Sequence, residues 1–171
     1  MTLSPRQALA AVRRLTPLAA RQATELGRGA DSVAYLVDHE WVFRFPVAQD
    51  AQVTLRREIA LLPDLGSALP LATPAFEHIG SEDRRLRFVG YRALAGEPLT
   101  ADRFNGLGRD PQEQALASRA GLLRALHAFP LDVARHAGVA VRWLQDLVFD
   151  ARRGDRESMD SSLRCLRDQL A

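Results

Sequence analysis

Residues 25–46 read ELGRGADSVAYLVDHEWVFRFP, a glycine-punctuated turn between apolar stretches, the second of which is broken by one cation, Arg44. Glycines let the backbone approach a ligand closely, and a guanidinium nearby can grip an anion with a planar fork of donors. The chemistry such a set supports is the holding of a polyphosphate. In WVFRF the strand period of two puts Trp41, Phe43 and Phe45 on one face and Val42 and Arg44 on the other. A cation within an apolar strand costs desolvation unless an anion pairs with it. Glu58, in the following segment RREIALLP, is the natural partner.

The glycine turn admits several readings, and its context narrows them. A dinucleotide-binding turn follows a strand and opens a helix, but Gly27-Arg28-Gly29 is followed by VAYLV and WVFRF, which read as paired strands. A Walker loop requires lysine, and all 23 basic residues of this chain are arginine. Two readings remain. One is a hairpin laid over a polyphosphate, as in kinases; the other is a turn that needs glycine only for positive φ angles. A strand cation followed by a helix glutamate is the kinase device for gripping phosphates, and it favours the first. A structural ion pair between sheet and helix is the alternative reading of Arg44 and Glu58.

The elements that must position these residues are legible in outline. Ser4-Pro5 is a helix start, and Leu9, Val12 and Leu15 share a face, so the pattern predicts a helix over 5–15. Strands are expected at 20–27, 33–37 and 41–45, with Asp38-His39-Glu40 as a tight connection and Pro46 as a stop. A helix is predicted over 50–62, closed by Pro63, followed by the proline-punctuated loop GSALPLATP. Two more strands, 74–80 and 85–92, flank the turn Ser81-Glu82-Asp83. Beyond Gly96-Glu97-Pro98 the pattern is helical, with helices expected at 111–128, 139–152 and 156–170. The fold class is α+β. The shift from strand to helix near residue 94 predicts two parts, 1–93 and 94–171.

Composition excludes several classes. At 171 residues, with 47% hydrophobic and 26% charged residues, the chain suits one globular domain or two small lobes. The net charge of +2 and the scattering of arginines among acids do not favour a nucleic-acid surface. One cysteine, Cys165, forms no internal disulfide framework, and four dispersed histidines give no metal-ligand spacing. The segment MTLSPRQALAAVRR lacks the apolar core of a signal peptide, and no run approaches the ~20 apolar residues of a membrane span. A cytoplasmic location is expected.

Five segments in order, ELGRGADSVAYLV, WVFRFP, LRREIALLPDL, FVGYRALAGEPL and LLRALHAFP, resemble the aminoglycoside phosphotransferase family. The resemblance implies a protein-kinase-like N-lobe, an antiparallel sheet plus helix, followed by an incomplete helical C-lobe. It also implies enzymes that move the γ-phosphate of ATP or GTP, with Mg²⁺, onto hydroxyls of antibiotics and other small molecules. Carried over by position, Gly27, Arg28, Gly29 and Ser32 resemble the nucleotide-covering loop, with Ser32 in place of a third glycine. Ala34 and Val42 match the apolar roof over the base. Arg44 stands where a lysine is usual, and Glu58 matches the helix glutamate. Arg92 and Leu94 resemble the hinge whose backbone C=O and N–H pair with the purine edge, and Tyr91 precedes it. His127 matches a family histidine that packs or caps.

The resemblance also implies an HGDxxxxN loop and a later metal-binding aspartate beyond LLRALHAFP. Neither is found; Gly154-Asp155 with Asp160 mimics the loop without its strand or its asparagine. No catalytic or metal residue is assigned. The chain is expected to be the N-terminal part of such a kinase and inactive alone, with apolar helix faces open to self-association. Two alternatives stand beside it: a pseudokinase-like module binding nucleotide or protein, and an unrelated α+β interaction domain.

Overall fold

A computed structural model describes residues 3–139. The helices expected at 139–152 and 156–170, the Gly154-Asp155 segment with Asp160, and Cys165 lie outside them, apart from Val139 itself. The first helix, α1 (Pro5–Leu15), begins with a reciprocal cap: Gln7 N–H donates to Ser4 Oγ at 3.3 Å, and Ser4 N–H donates to Gln7 Oε1 at 2.8 Å. Proline at N1 loses no hydrogen bond there, because that N–H has no partner in a helix. Strands β1 (Ala23–Arg28), β2 (Ser32–Val37) and β3 (Trp41–Pro46) follow, then α2 (Gln49–Ala68), β4 (His78–Glu82) and β5 (Arg85–Arg92). Only helices follow the sheet among the described residues: α3 (Ala101–Gly106), α4 (Arg109–Ala128) and α5 (Leu131–His136). No helix among them is long and apolar enough to cross a membrane. The fold is α+β, as the sequence predicts.

The five strands form one antiparallel sheet in the order β1-β2-β3-β5-β4. Its two faces differ. Val33, Tyr35, Val37, Trp41, Phe43, Phe45 and Phe88 bury themselves with Ala8 and Val12 of α1, giving the larger core. On the other face Val89 packs with Leu86 and with Leu55 of α2, and Ile59 and Phe76 close around them. Strict alternation would send Leu86 to the α1 side with Phe88. Instead Gly80 pairs with Phe88 and Ser81 with Leu86, so Arg87 is an extra residue that reverses the parity of β5 and frees Leu86 for the second core. Close packing dictates two glycines: a Cβ on Gly80 would lie 2.4 Å from the Phe88 ring, and one on Gly90 would lie 2.4 Å from Phe43.

Two sequence expectations need correction. Pro63 does not close α2 but sits exposed inside it; the helix runs a further turn to Ala68, where Leu69 N–H donates to Leu65 C=O and Pro70 prevents continuation. An exposed proline leaves its unpaired carbonyl partner open to water, so the turn beyond it survives. The β4–β5 turn lies one step later than Ser81-Glu82-Asp83. Its tip is Asp83-Arg84, both left-handed at φ 49° and 61°. The β2–β3 connection is tied down by Asp38, whose carboxylate accepts N–H bonds from Arg21 and Gln22 at 2.9 Å. Those bonds hold the Asp38 carboxyl below its usual range.

Candidate functional site

Directly opposed residues in an antiparallel sheet share a face. Gly27 pairs with Ala34, Ala34 with Arg44, Leu36 with Val42 and Val42 with Tyr91. The register thus gathers Gly27, Ala34, Val42, Arg44 and Tyr91 on the α2 side of the sheet. There α2 supplies Glu58. Arg44 Nη1 lies 2.6 Å from Glu58 Oε2 and Nη2 lies 3.2 Å from Oε1, a two-pronged pair. The side chains are 25% and 30% exposed, so the pair is sheltered by protein on one side and open on the other. Burial raises the Tyr91 phenol; the Arg44 charge lowers it and the Glu58 charge raises it. The Tyr91 ring leans on Phe76, with centroids 5.9 Å apart.

The β1–β2 hairpin carries Gly27 on the same face of the sheet as this pair. Gly29 N–H donates to Ser32 C=O at 2.9 Å and closes the tip, and Val47 N–H donates to Asp31 C=O at 3.0 Å, tying the tip to the start of α2. Gly96 and Gly138 are the positive-φ glycines of the described residues, so neither Gly27 nor Gly29 is required for a left-handed backbone. Nor does packing require them. A Cβ on Gly27 would meet nothing within 4 Å, and one on Gly29 would meet Ser32 C=O at an ordinary 3.8 Å. The reading of the turn as a purely conformational glycine site is overturned. Space stands open over Gly27, on the Arg44 face.

At the far end of β5, Ala93 N–H donates to Glu40 C=O at 2.8 Å. Trp41 and Arg92 are therefore a non-hydrogen-bonded pair, and the Arg92 carbonyl turns away from β3. The carbonyl that the hinge comparison invokes thus points off β3. The Arg92 side chain does something else: its guanidinium lies 4.5 Å over the Trp41 ring and pairs with Glu40, on the α1 side. Arg28 is placed likewise. It pairs with Val33 on the α1 face and its guanidinium meets Glu25 at 3.0 Å, so the register carries its side chain away from Arg44. His127 is exposed in the last turn of α4, where a basic group complements the helix's negative end.

Sequence reasoning missed Leu26. The pairing passes from Glu25–Tyr35 to Gly27–Ala34, which makes Leu26 the extra residue of a bulge. It stands beside Gly27 and is 54% exposed, an unusual position for a large apolar side chain inside a sheet. Its place just before the glycines was visible; the bulge was not. Among the described residues no group of three or more His, Cys, Asp or Glu side chains could hold a metal ion. The Mg²⁺ that the resemblance implies thus has no such ligand group among the described residues.

Residues 22–170 match the phosphotransferase enzyme family. The chain belongs to that family. Among solved phosphotransferases, APH(2")-IIia, determined with GDP and kanamycin, is 31% identical and superposes with a TM-score of 0.72 over 94% of this chain and 57% of its own. Wild-type aminoglycoside 2'-phosphotransferase-IIIa, determined with GDP, is 30% identical with a TM-score of 0.70, over 93% of this chain and 56% of its own. The macrolide 2'-phosphotransferase MphH from Brachybacterium faecium shares the fold at 21% identity and a TM-score of 0.54, covering 85% of this chain and 53% of its own. The chain thus spans a little over half the length of these phosphotransferases.

Proposed function

We propose that this chain is the nucleotide-holding part of a small-molecule phosphotransferase, whose reaction moves the γ-phosphate of GTP or ATP onto a substrate hydroxyl. One observation carries the reading: Arg44, paired with Glu58 and open on one side, shares a face with Gly27, over which space stands free. The hairpin covers the phosphates, Arg44 grips them, and Glu58 fixes the guanidinium. Ala34, Val42 and the extra Leu26 supply apolar contact to the base, and Arg92 C=O and Leu94 N–H pair with its edge. Two relatives solved with GDP and about 30% identical put guanine first among the bases to test.

Transfer itself needs a group to take the hydroxyl proton as the γ-phosphate passes to oxygen and the nucleoside diphosphate leaves. The 171-residue sequence contains no HGDxxxxN segment for that role. On this reading residues 1–171 bind nucleotide and do not turn over by themselves. An aminoglycoside acceptor is proposed on the strength of the two relatives alone.

The test is calorimetric titration of the chain with GDP, GTP and ATP, each with and without Mg²⁺, alongside Arg44→Ala. We expect saturable binding that weakens at least tenfold in the variant, roughly the value of one charge-assisted contact. Equal affinity in both proteins, or no binding in either, would overturn the reading.

A further inference from the structure

Away from the cleft, a surface groove of about 470 Å³ runs between the start of α2 and the β4–β5 turn. Its polar lining comes from Gln49, Gln52 and Arg56 of α2 and from Arg84 and Arg85 of the turn. Lining carboxylates are absent among the described residues, and none of these three arginines joins an ion pair there. Arg56 is tied to the backbone of the turn. Arg56 Nη2 donates to Arg84 C=O at 3.0 Å across the groove. Arg84 occupies a left-handed turn position, φ 61°, that favours glycine or asparagine. The uncapped N-terminus of the 20-residue α2 borders the same groove and adds N–H groups of matching polarity.

We propose that this groove is a second anion site, taking a compact phosphate-class anion such as pyrophosphate, and that its occupancy fastens α2 to the β4–β5 turn. Three arginines that line one groove from two elements suit the oxygens of a phosphate group, which accept parallel N–H bonds from a guanidinium. A bound anion bridges the helix that carries Glu58 to the sheet that carries Arg44. The consequence for the cleft rests on the nucleotide reading; the anion site does not.

The experiment titrates the chain with pyrophosphate and with inorganic phosphate at constant ionic strength, by calorimetry and thermal melting. Three variants accompany it: Arg84→Gly with Arg85→Gln, Arg44→Ala, and Arg109→Gln as an exposed control. Arg84→Gly relieves the left-handed position, so the turn folds at least as readily. We expect saturable pyrophosphate binding, raised melting temperature, and about a tenfold or greater loss in the double variant. Arg44→Ala and Arg109→Gln should retain the site. Binding that disappears in Arg44→Ala but persists in the double variant would assign the anion to the cleft and overturn the proposal. So would unsaturable binding, or an equal decline in all three. Because the site is read out in Arg44→Ala, its failure is separable from failure of the nucleotide reading.

Discussion

Glycine serves two different ends in this sheet, and substitution separates them. At Gly90 an added methyl would lie 2.4 Å from the Phe43 ring, which is fully buried and cannot swing aside. Overpacking of this kind costs about 1–3 kcal/mol. For a domain of this size each kcal/mol lowers the melting temperature by roughly 2–4 °C, so Gly90→Ala should melt roughly 2–12 °C lower. Gly27→Val adds a larger side chain, yet the Cβ meets nothing within 4 Å and the backbone is not left-handed. A β-branched residue also suits a strand better than glycine. Its stability should stay within about 0.5 kcal/mol of the parent. Its isopropyl group, however, enters the open space over Gly27 that the proposed nucleotide-holding role requires, so nucleotide affinity should decline about tenfold or more. Melting curves and a fluorescent-nucleotide titration on both variants decide the matter. If Gly27→Val melts as low as Gly90→Ala, or binds nucleotide as well as the parent, the assignment of Gly27 to a ligand is refuted.

Two further outcomes follow from the caps and turns. The Asp38 carboxyl is held low by its backbone N–H bonds, so its contribution to stability is present above the unfolded pKa near 3.8 and is lost as pH falls through the lower folded value. Asp38→Asn should therefore be less stable than the parent at neutral pH, and the difference should shrink in melts taken below pH 3.8. Ser4→Ala removes half of the reciprocal cap on α1 and should cost about 1 kcal/mol, measured by urea unfolding, without changing nucleotide affinity.

Local chemistry made much of this fold legible. The alternation of WVFRF placed Arg44 against Glu58 correctly, because a cation on the α2 face has nowhere else to discharge its desolvation cost. Ser4, Pro5 and the apolar spacing set α1 to the residue. What stayed hidden depends on pairing across the sheet. The extra residues Leu26 and Arg87 have no signature of their own, yet each shifts which face its strand presents. Arg28 looked like a cleft residue by position, and only register shows its side chain turning to the α1 side. Pro63 misled because proline forbids one hydrogen bond, not the turn beyond it, when the site is exposed.

The choice of arginine at position 44 has a consequence in donor arithmetic. A guanidinium carries five N–H donors, and the pair with Glu58 uses one from Nη1 and one from Nη2. Three remain, including the one on Nε. A lysine here would divide three donors on one rotating nitrogen between the glutamate and any second anion. Arg44 instead keeps two donors anchored on Glu58 while the others are left over from that pair. The anchoring of the helix and the proposed reception of a ligand thereby fall to different atoms of the same side chain.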